Sequence, residues 1–96
     1  MNLQWTPDGW ADYVYWQTED RKTLRRINKL IQDILRDPYH GIGKPEPLRY
    51  DLSDYWSRRI NETDRIVYKI SDETDRIVYK ISDDILIIVK CRTHYE

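Results

Sequence analysis

The segment DRKTLRRINKLIQDILRDP, Asp20 to Pro38, decides how the rest of the chain is read. Leu24, Ile27, Leu30, Ile31, Ile34 and Leu35 recur at steps of three and four residues, the spacing that gathers apolar side chains on one face of a helix. Asp20 can cap the start, and Asp37-Pro38 ends it because the residue before a proline is driven out of the helical region. The opposite face carries Arg21, Lys22, Arg25, Arg26 and Lys29. Its plain reading is a solvated basic face; contact with RNA or an acidic partner is the sharper one.

Working outward, Asn2 to Thr6 alternate polar and apolar through Leu3 and Trp5, a short strand, and Pro7 and Asp8 begin a first helix over about Gly9 to Gln17. On the other side, His40 to Pro47 holds Gly41, Gly43, Pro45 and Pro47 and reads as a loop carrying Glu46. Strand-like runs follow at about Leu48 to Leu52, Trp56 to Asn61, Arg65 to Ile70, Arg76 to Ile81 and Ile85 to Cys91. The order predicts an α+β fold, two or three N-terminal helices packed on a small antiparallel β-sheet. Ile85 to Val89 is apolar at every position, which predicts a central strand covered on both faces, one of them by the second helix.

A chain of 96 residues accommodates a single domain over 1–96. Its 16 Lys and Arg against 17 Asp and Glu do not imply whole-molecule attraction to nucleic acid, so any RNA contact has to be local. A lone Cys91 forms no internal disulfide, and no apolar run is long enough for a signal peptide or a membrane span, which makes the cytoplasm the expected compartment. The large rings are eight Tyr and four Trp with no Phe, so each keeps a polar handle; Trp5, Trp10, Trp16 and Trp56 read as core or half-core.

Glu62 to Asp72 spells ETDRIVYKISD, and Glu73 to Asp83 repeats it letter for letter. Zero divergence separates this from an aged solenoid repeat and points to a recent or engineered tandem duplication. Adding one strand to an antiparallel meander would reverse every strand after it. A longer surface loop costs only on the order of a kcal/mol of closure entropy, so one copy is expected in the sheet and the other outside it. The copy at Arg65 to Ile70 is the favoured strand, since the insert then lies at the end of the sheet away from His94. An excluded strand-like copy would also be an edge open to another molecule.

Lys44, Arg49, Arg58, Arg59, Arg65 or Arg76, Lys90 and Arg92 concentrate beyond the loop, and period-two alternation could set several on one face against a phosphate backbone. Alone, such cations merely decorate solvent. Glu46 and His94 alter that balance, because a carboxylate, an imidazole and guanidinium groups can together carry metal-free transphosphorylation of RNA. His40 reads as structural or solvent-facing. Two distant His and one Cys lack ligand spacing, so neither a metal nor another cofactor is expected.

The segments Gly43-Lys44-Pro45-Glu46-Pro47-Leu48, Trp56-Ser57-Arg58-Arg59-Ile60, Asp64-Arg65-Ile66-Val67-Tyr68 and Cys91-Arg92-Thr93-His94-Tyr95 stand in the order and spacing of the YoeB branch of the RelE/ParE toxins, once one repeat copy is removed. Trp10-Ala11-Asp12-Tyr13, Tyr15-Trp16 and Ile27-Asn28-Lys29-Leu30-Ile31 are similar as well, so the resemblance spans essentially the whole chain. It implies a ribosome-dependent endoribonuclease that cuts mRNA in the A site through attack by the substrate's own 2′-hydroxyl, leaving a 2′,3′-cyclic phosphate and a 5′-hydroxyl without a metal. By the same resemblance Glu46 is the general base, His94 the general acid, Arg65 or its duplicate Arg76 the phosphate-stabilising arginine, and Tyr95 a positioning residue. Arg49, Arg59 and Lys44 are supporting RNA contacts. The implied partners are the 70S ribosome with mRNA, a YefM-like antitoxin that wraps the toxin, operator DNA reached only through that antitoxin, and a second copy in a homodimer. Glu96 departs from the family's tail, adding negative charge where a phosphate would approach. The other class the residues leave open is a non-catalytic binding module: a relative that blocks DNA gyrase, or a toxin body that only binds antitoxin and operator.

Overall fold

The computed structural model describes residues 1–72 and 84–93. The chain runs β1 (Asn2–Trp5), α1 (Pro7–Glu19), α2 (Arg21–Arg36), β2 (Glu46–Pro47), a 3-10 turn (Tyr50–Leu52), β3 (Trp56–Arg59), β4 (Arg65–Asp72) and β5 (Asp84–Lys90). Asp20 lies between the helices and serves both. Its backbone N–H closes α1 onto the Trp16 carbonyl, while its carboxylate accepts from Lys22 N at 3.0 Å and Thr23 N at 3.2 Å to start α2. These bonds, the Thr23 side chain foremost, hold the Asp20 carboxyl below the usual range.

The five strands are ordered β1-β5-β4-β3-β2. β5 is an interior strand, flanked by β1 and β4, and the sheet is mixed: β1 pairs parallel to β5, Asn2 opposite Ile85 and Trp5 opposite Ile88, whereas all other pairs are antiparallel. The two helices between β1 and the later strands supply the long crossover that parallel pairing requires. A second correction concerns Leu48 to Leu52, which is no strand. The ladder ends at Pro47, Leu48 N–H turns inward to the Tyr55 carbonyl at 2.8 Å, and Tyr50 takes a φ of 60°, outside any extended conformation. Glu46 accordingly sits in a short strand rather than in the loop.

Both helices lie on one face of the sheet. Ile27, Leu30, Ile31 and Ile34 of α2, with Trp16 of α1, pack against Ile66 and Tyr68 of β4 and Leu86 and Ile88 of β5. Each fully buried aliphatic side chain of this set contributes about 1.5–3 kcal/mol. α1 approaches β5 so closely that a β-carbon at Gly9 would overlap the Ile88 carbonyl oxygen. On the other face Val67 and Ile85 are buried while Ile87 and Val89 are half-exposed, so β5 is not fully covered on both sides. Of the tryptophans, Trp16 is core and Trp5 and Trp56 are half-buried, but Trp10 is 50% exposed, its ring edge-on to Trp5 and tilted against Tyr13.

The first repeat copy supplies β4. It pairs with β3 through Arg59–Arg65 and with β5 through Tyr68–Ile88 to Asp72–Asp84. The second copy, Glu73 to Asp83, lies outside the described residues, and with it Arg76; so do His94, Tyr95 and Glu96.

Candidate active site

Directly paired residues in neighbouring strands point to the same face. Glu46 pairs with Ser57 and Arg59 with Arg65, so these four side chains share the face turned away from the helices. The β3–β4 hairpin that sets this register is tied by Asn61, whose Oδ1 accepts from Thr63 N at 2.8 Å and Asp64 N at 2.7 Å.

Across three strands the contacts converge on one guanidinium. Arg65 Nη1 donates to Glu46 Oε1 at 2.9 Å and to Ser57 Oγ at 3.3 Å. Ser57 is wholly buried, Arg65 has a side chain 20% exposed, and Glu46 is open to solvent at 56%. The site thus has a buried floor and an accessible carboxylate. Among the described residues only Nη1 of Arg65 is engaged, which leaves Nε and Nη2 of the fork to meet an anion. A third segment reaches the same place from β5: Arg65 N donates to the Thr93 carbonyl at 3.3 Å, and Thr93 N donates to Asp64 Oδ1.

The expected cations divide. Arg59 lies beside Arg65 on the open face and is exposed, and Lys44 and Arg49 flank β2 and are exposed as well. Lys90 and Arg92 instead line a cleft with Asp8 and Asp12 of α1, and the Arg92 guanidinium sits 3.6 Å above the Tyr15 ring. Arg58 is the clear departure from the sequence reading. It pairs with Ile66 on the helix face and has no solvent exposure. All five of its N–H donors are used: Nε to Tyr68 Oη, Nη1 to Asp33 at 2.6 Å and to the Ile42 carbonyl, Nη2 to the carbonyls of Asp37 and His40. Tyr68 Oη in turn donates to the Pro38 carbonyl at 2.7 Å. Arg58 therefore pins the connection from α2 toward β2, and its hydrogen bond, followed by that of the Ile42 N–H, holds the Asp33 carboxyl down at about 2.

Downstream of that anchor, Gly43 has a φ of 80° and its carbonyl accepts from Arg59 N at 2.6 Å. A β-carbon there would press on Leu30 at 2.8 Å, so glycine is needed for the chain to cross α2 on its way to Glu46. His40 is solvent-facing, with Nδ1 3.3 Å from Asp37 Oδ2. Cys91 is buried and its thiol is pushed up to about 12 by that burial, which makes it chemically quiet. Among the described residues no group of three His, Cys, Asp or Glu is arranged to hold a metal ion, and no helix is long and apolar enough to cross a membrane.

Sequence reasoning thus found Glu46 and Arg65, which meet, and Arg59, which stands beside them. It missed Ser57 and Asp64 as participants, although both lie in the segments that carry the family resemblance. Ser57 becomes visible only through register, and Asp64 only once the end of β5 is brought across the hairpin.

A family model for the "YoeB-like toxin of bacterial type II toxin-antitoxin system" matches residues 5–74. The chain is similar to Toxin YoeB of Streptomyces coelicolor, 54% identical over 95 residues that take in 99% of this chain and 100% of that protein. Among solved structures it is similar to a YoeB/ParE toxin from Agrobacterium tumefaciens, at 41% identity and a TM-score of 0.87 over 99% of this chain and 100% of that one. Two Staphylococcus aureus structures, a YoeB dimer and a heterotetrameric YoeB-YefM toxin-antitoxin complex, each share 36% identity with it, at TM-scores of 0.80 and 0.79, over 99% of this chain and 98% of theirs.

Proposed function

The chain belongs to the YoeB-like toxins of bacterial type II toxin-antitoxin systems, and from that footing we propose that it cleaves mRNA in the ribosomal A site using Glu46, Arg65 and His94. Ribosome-dependent mRNA cleavage is the activity of this family. The observation that carries the assignment is the 2.9 Å contact between Arg65 Nη1 and Glu46 Oε1, with the Thr93 carbonyl 3.3 Å from Arg65 N. His94 is the next residue in the chain after Thr93.

In the proposed reaction Glu46 takes the proton of the substrate's 2′-hydroxyl as that oxygen bonds to the adjacent phosphorus. The bond from phosphorus to the 5′-oxygen breaks, and His94 gives a proton to the departing oxygen. The products are a 2′,3′-cyclic phosphate and a 5′-hydroxyl. Arg65 offers its unused fork to the phosphorane oxygens, where a placed donor of this kind is worth about a hundred- to a thousandfold in rate. Each proton-transfer group adds roughly a hundred- to ten-thousandfold. Arg59, with Lys44 and Arg49, supplies positive charge for the flanking phosphates, and Tyr95 orients the nucleotide. This set of groups moves both protons and balances the developing charge without a metal. On the same reading the partners are the 70S ribosome with mRNA, a YefM-like antitoxin as in the Staphylococcus complex, operator DNA through that antitoxin, and a second copy as in the Staphylococcus dimer.

Incubation with programmed ribosomes and mapping of mRNA ends tests the proposal. Cyclic phosphate ends at A-site codons are expected, and His94→Gln should slow their appearance by roughly a hundred- to ten-thousandfold. Intact mRNA together with tight antitoxin binding would instead identify a binding module without nuclease activity.

A further inference from the structure

Beyond Lys90 the chain has left the β-ladder, and its backbone polar groups need other partners. Side chains provide them. Cys91 N donates to Asp12 Oδ2 at 3.1 Å, and Trp16 Nε1 donates to the Cys91 carbonyl at 2.8 Å. Two residues on, Thr93 is gripped from both sides by the start of β4: its N–H by the Asp64 carboxylate, its carbonyl by Arg65 N. Thr93 has a φ of 61°, a region that β-branched residues rarely enter, so these contacts hold a backbone that would not choose this course unaided. Asp64 itself is 8% exposed and anchored in the hairpin by its own N–H to Asn61.

We propose that Asp64 is a positioning residue for the nuclease reaction, acting by holding the backbone of Thr93, the residue that precedes His94 in the chain. Adjacent residues of one strand start thus do two jobs: Arg65 orders the base and the phosphate, and Asp64 orders the backbone that precedes the acid. The inference rests on the nuclease reading above. It differs from a plain charge effect in sign. Removing a carboxylate beside a phosphate site would by itself tighten RNA binding, whereas loss of positioning lowers the cleavage rate and leaves the half-saturating concentration unchanged.

The test is single-turnover cleavage on programmed ribosomes, with backbone amide exchange at Thr93 measured on the same variants. Asp64→Ala is expected to speed exchange at Thr93 and to slow cleavage at least about tenfold. Asp64→Asn keeps an acceptor in place and should retain both properties; Asp64→Glu keeps the charge but displaces the acceptor, should behave like alanine, and serves if the alanine variant does not fold. In a His94→Gln background the Asp64 substitutions should add less than twofold, because a misaimed tail and an absent acid are the same loss. A wild type that cleaves, with Asp64→Ala or Asp64→Glu neutral or multiplying the His94→Gln defect, overturns this proposal alone. A wild type that leaves mRNA intact removes the nuclease reading, and this proposal with it.

Discussion

Deleting residues 73–83 should leave a folded protein, and the register of the sheet says why. Asp72 stands opposite Asp84 at the end of the β4–β5 ladder, and the next pair inward is Ser71 with Ile85. Joining Asp72 to Asp84 therefore converts them into a two-residue hairpin loop closed by Ser71 and Ile85, the commonest tight connection between antiparallel strands. No strand changes direction and no buried pair is lost from the described sheet. Shortening the closed loop roughly sixfold returns about 1.6 kcal/mol of closure entropy. Against this, the favoured two-residue turn wants positive φ at both positions, which costs L-residues other than glycine roughly 1–2 kcal/mol each, at the low end for aspartate, and so about 2 kcal/mol for the pair. The two nearly cancel, so thermal unfolding followed by circular dichroism should give a midpoint within about 8 °C of the parent. Replacing Asp84 by glycine in the shortened chain creates an Asp-Gly turn and should raise stability by about 1 kcal/mol. Loss of cooperative unfolding, or destabilisation beyond about 3 kcal/mol, would refute the reasoning by showing that the second copy contributes packing absent from the register.

Two further outcomes follow from named contacts. Arg65→Ala should lower the cleavage rate about a hundred- to a thousandfold while Arg76→Ala leaves it unchanged, because Arg65 Nη1 donates to Glu46 Oε1; the reverse pattern in the same ribosome assay would move the role to the second copy. Asp33→Asn should cost about 3 kcal/mol in urea unfolding, since the fully buried Arg58 loses its counter-charge. The Asp33 carboxyl is held down to about 2 chiefly by Arg58, so its stabilisation is complete above the ordinary value of 3.8 and disappears as pH falls through 2. The gap between wild type and Asp33→Asn should accordingly close between pH 5 and pH 2, and a constant gap would assign the acid sensitivity to other carboxylates.

Much of this protein could be read from local pattern. The 3.6-residue spacing of α2, its Asp20 cap and its Asp37-Pro38 stop appear where the residues dictate, because a helix is specified by neighbours within one or two turns. The all-apolar run Ile85 to Val89 revealed an interior strand for the same kind of reason, though not the cover expected on both of its faces. Glu46 and Arg65 stood out through the segments that resemble the toxin family. By contrast, Leu48 to Leu52 had the composition of a strand and became a turn, since β2 has only two residues to pair and Tyr50 leaves the extended region.

What only the tertiary structure decided is which face each cation occupies and what meets across the sheet. Arg58 and Arg59 are neighbours of the same type in sequence, yet one is buried against Asp33 and the other open beside Arg65, because alternation in a strand assigns faces only after the register is set. Two identical copies of the repeat have the same propensity by construction. The long-range pairing of β4 with β3 and β5 uses the first copy, and it brings Asp64, Arg65, Glu46 and Thr93, 47 positions apart from first to last, to one end of the sheet. Sequence fixes elements through short-range preference; the site exists because hydrogen-bonded strands bring distant residues side by side, a relation that no local stretch encodes.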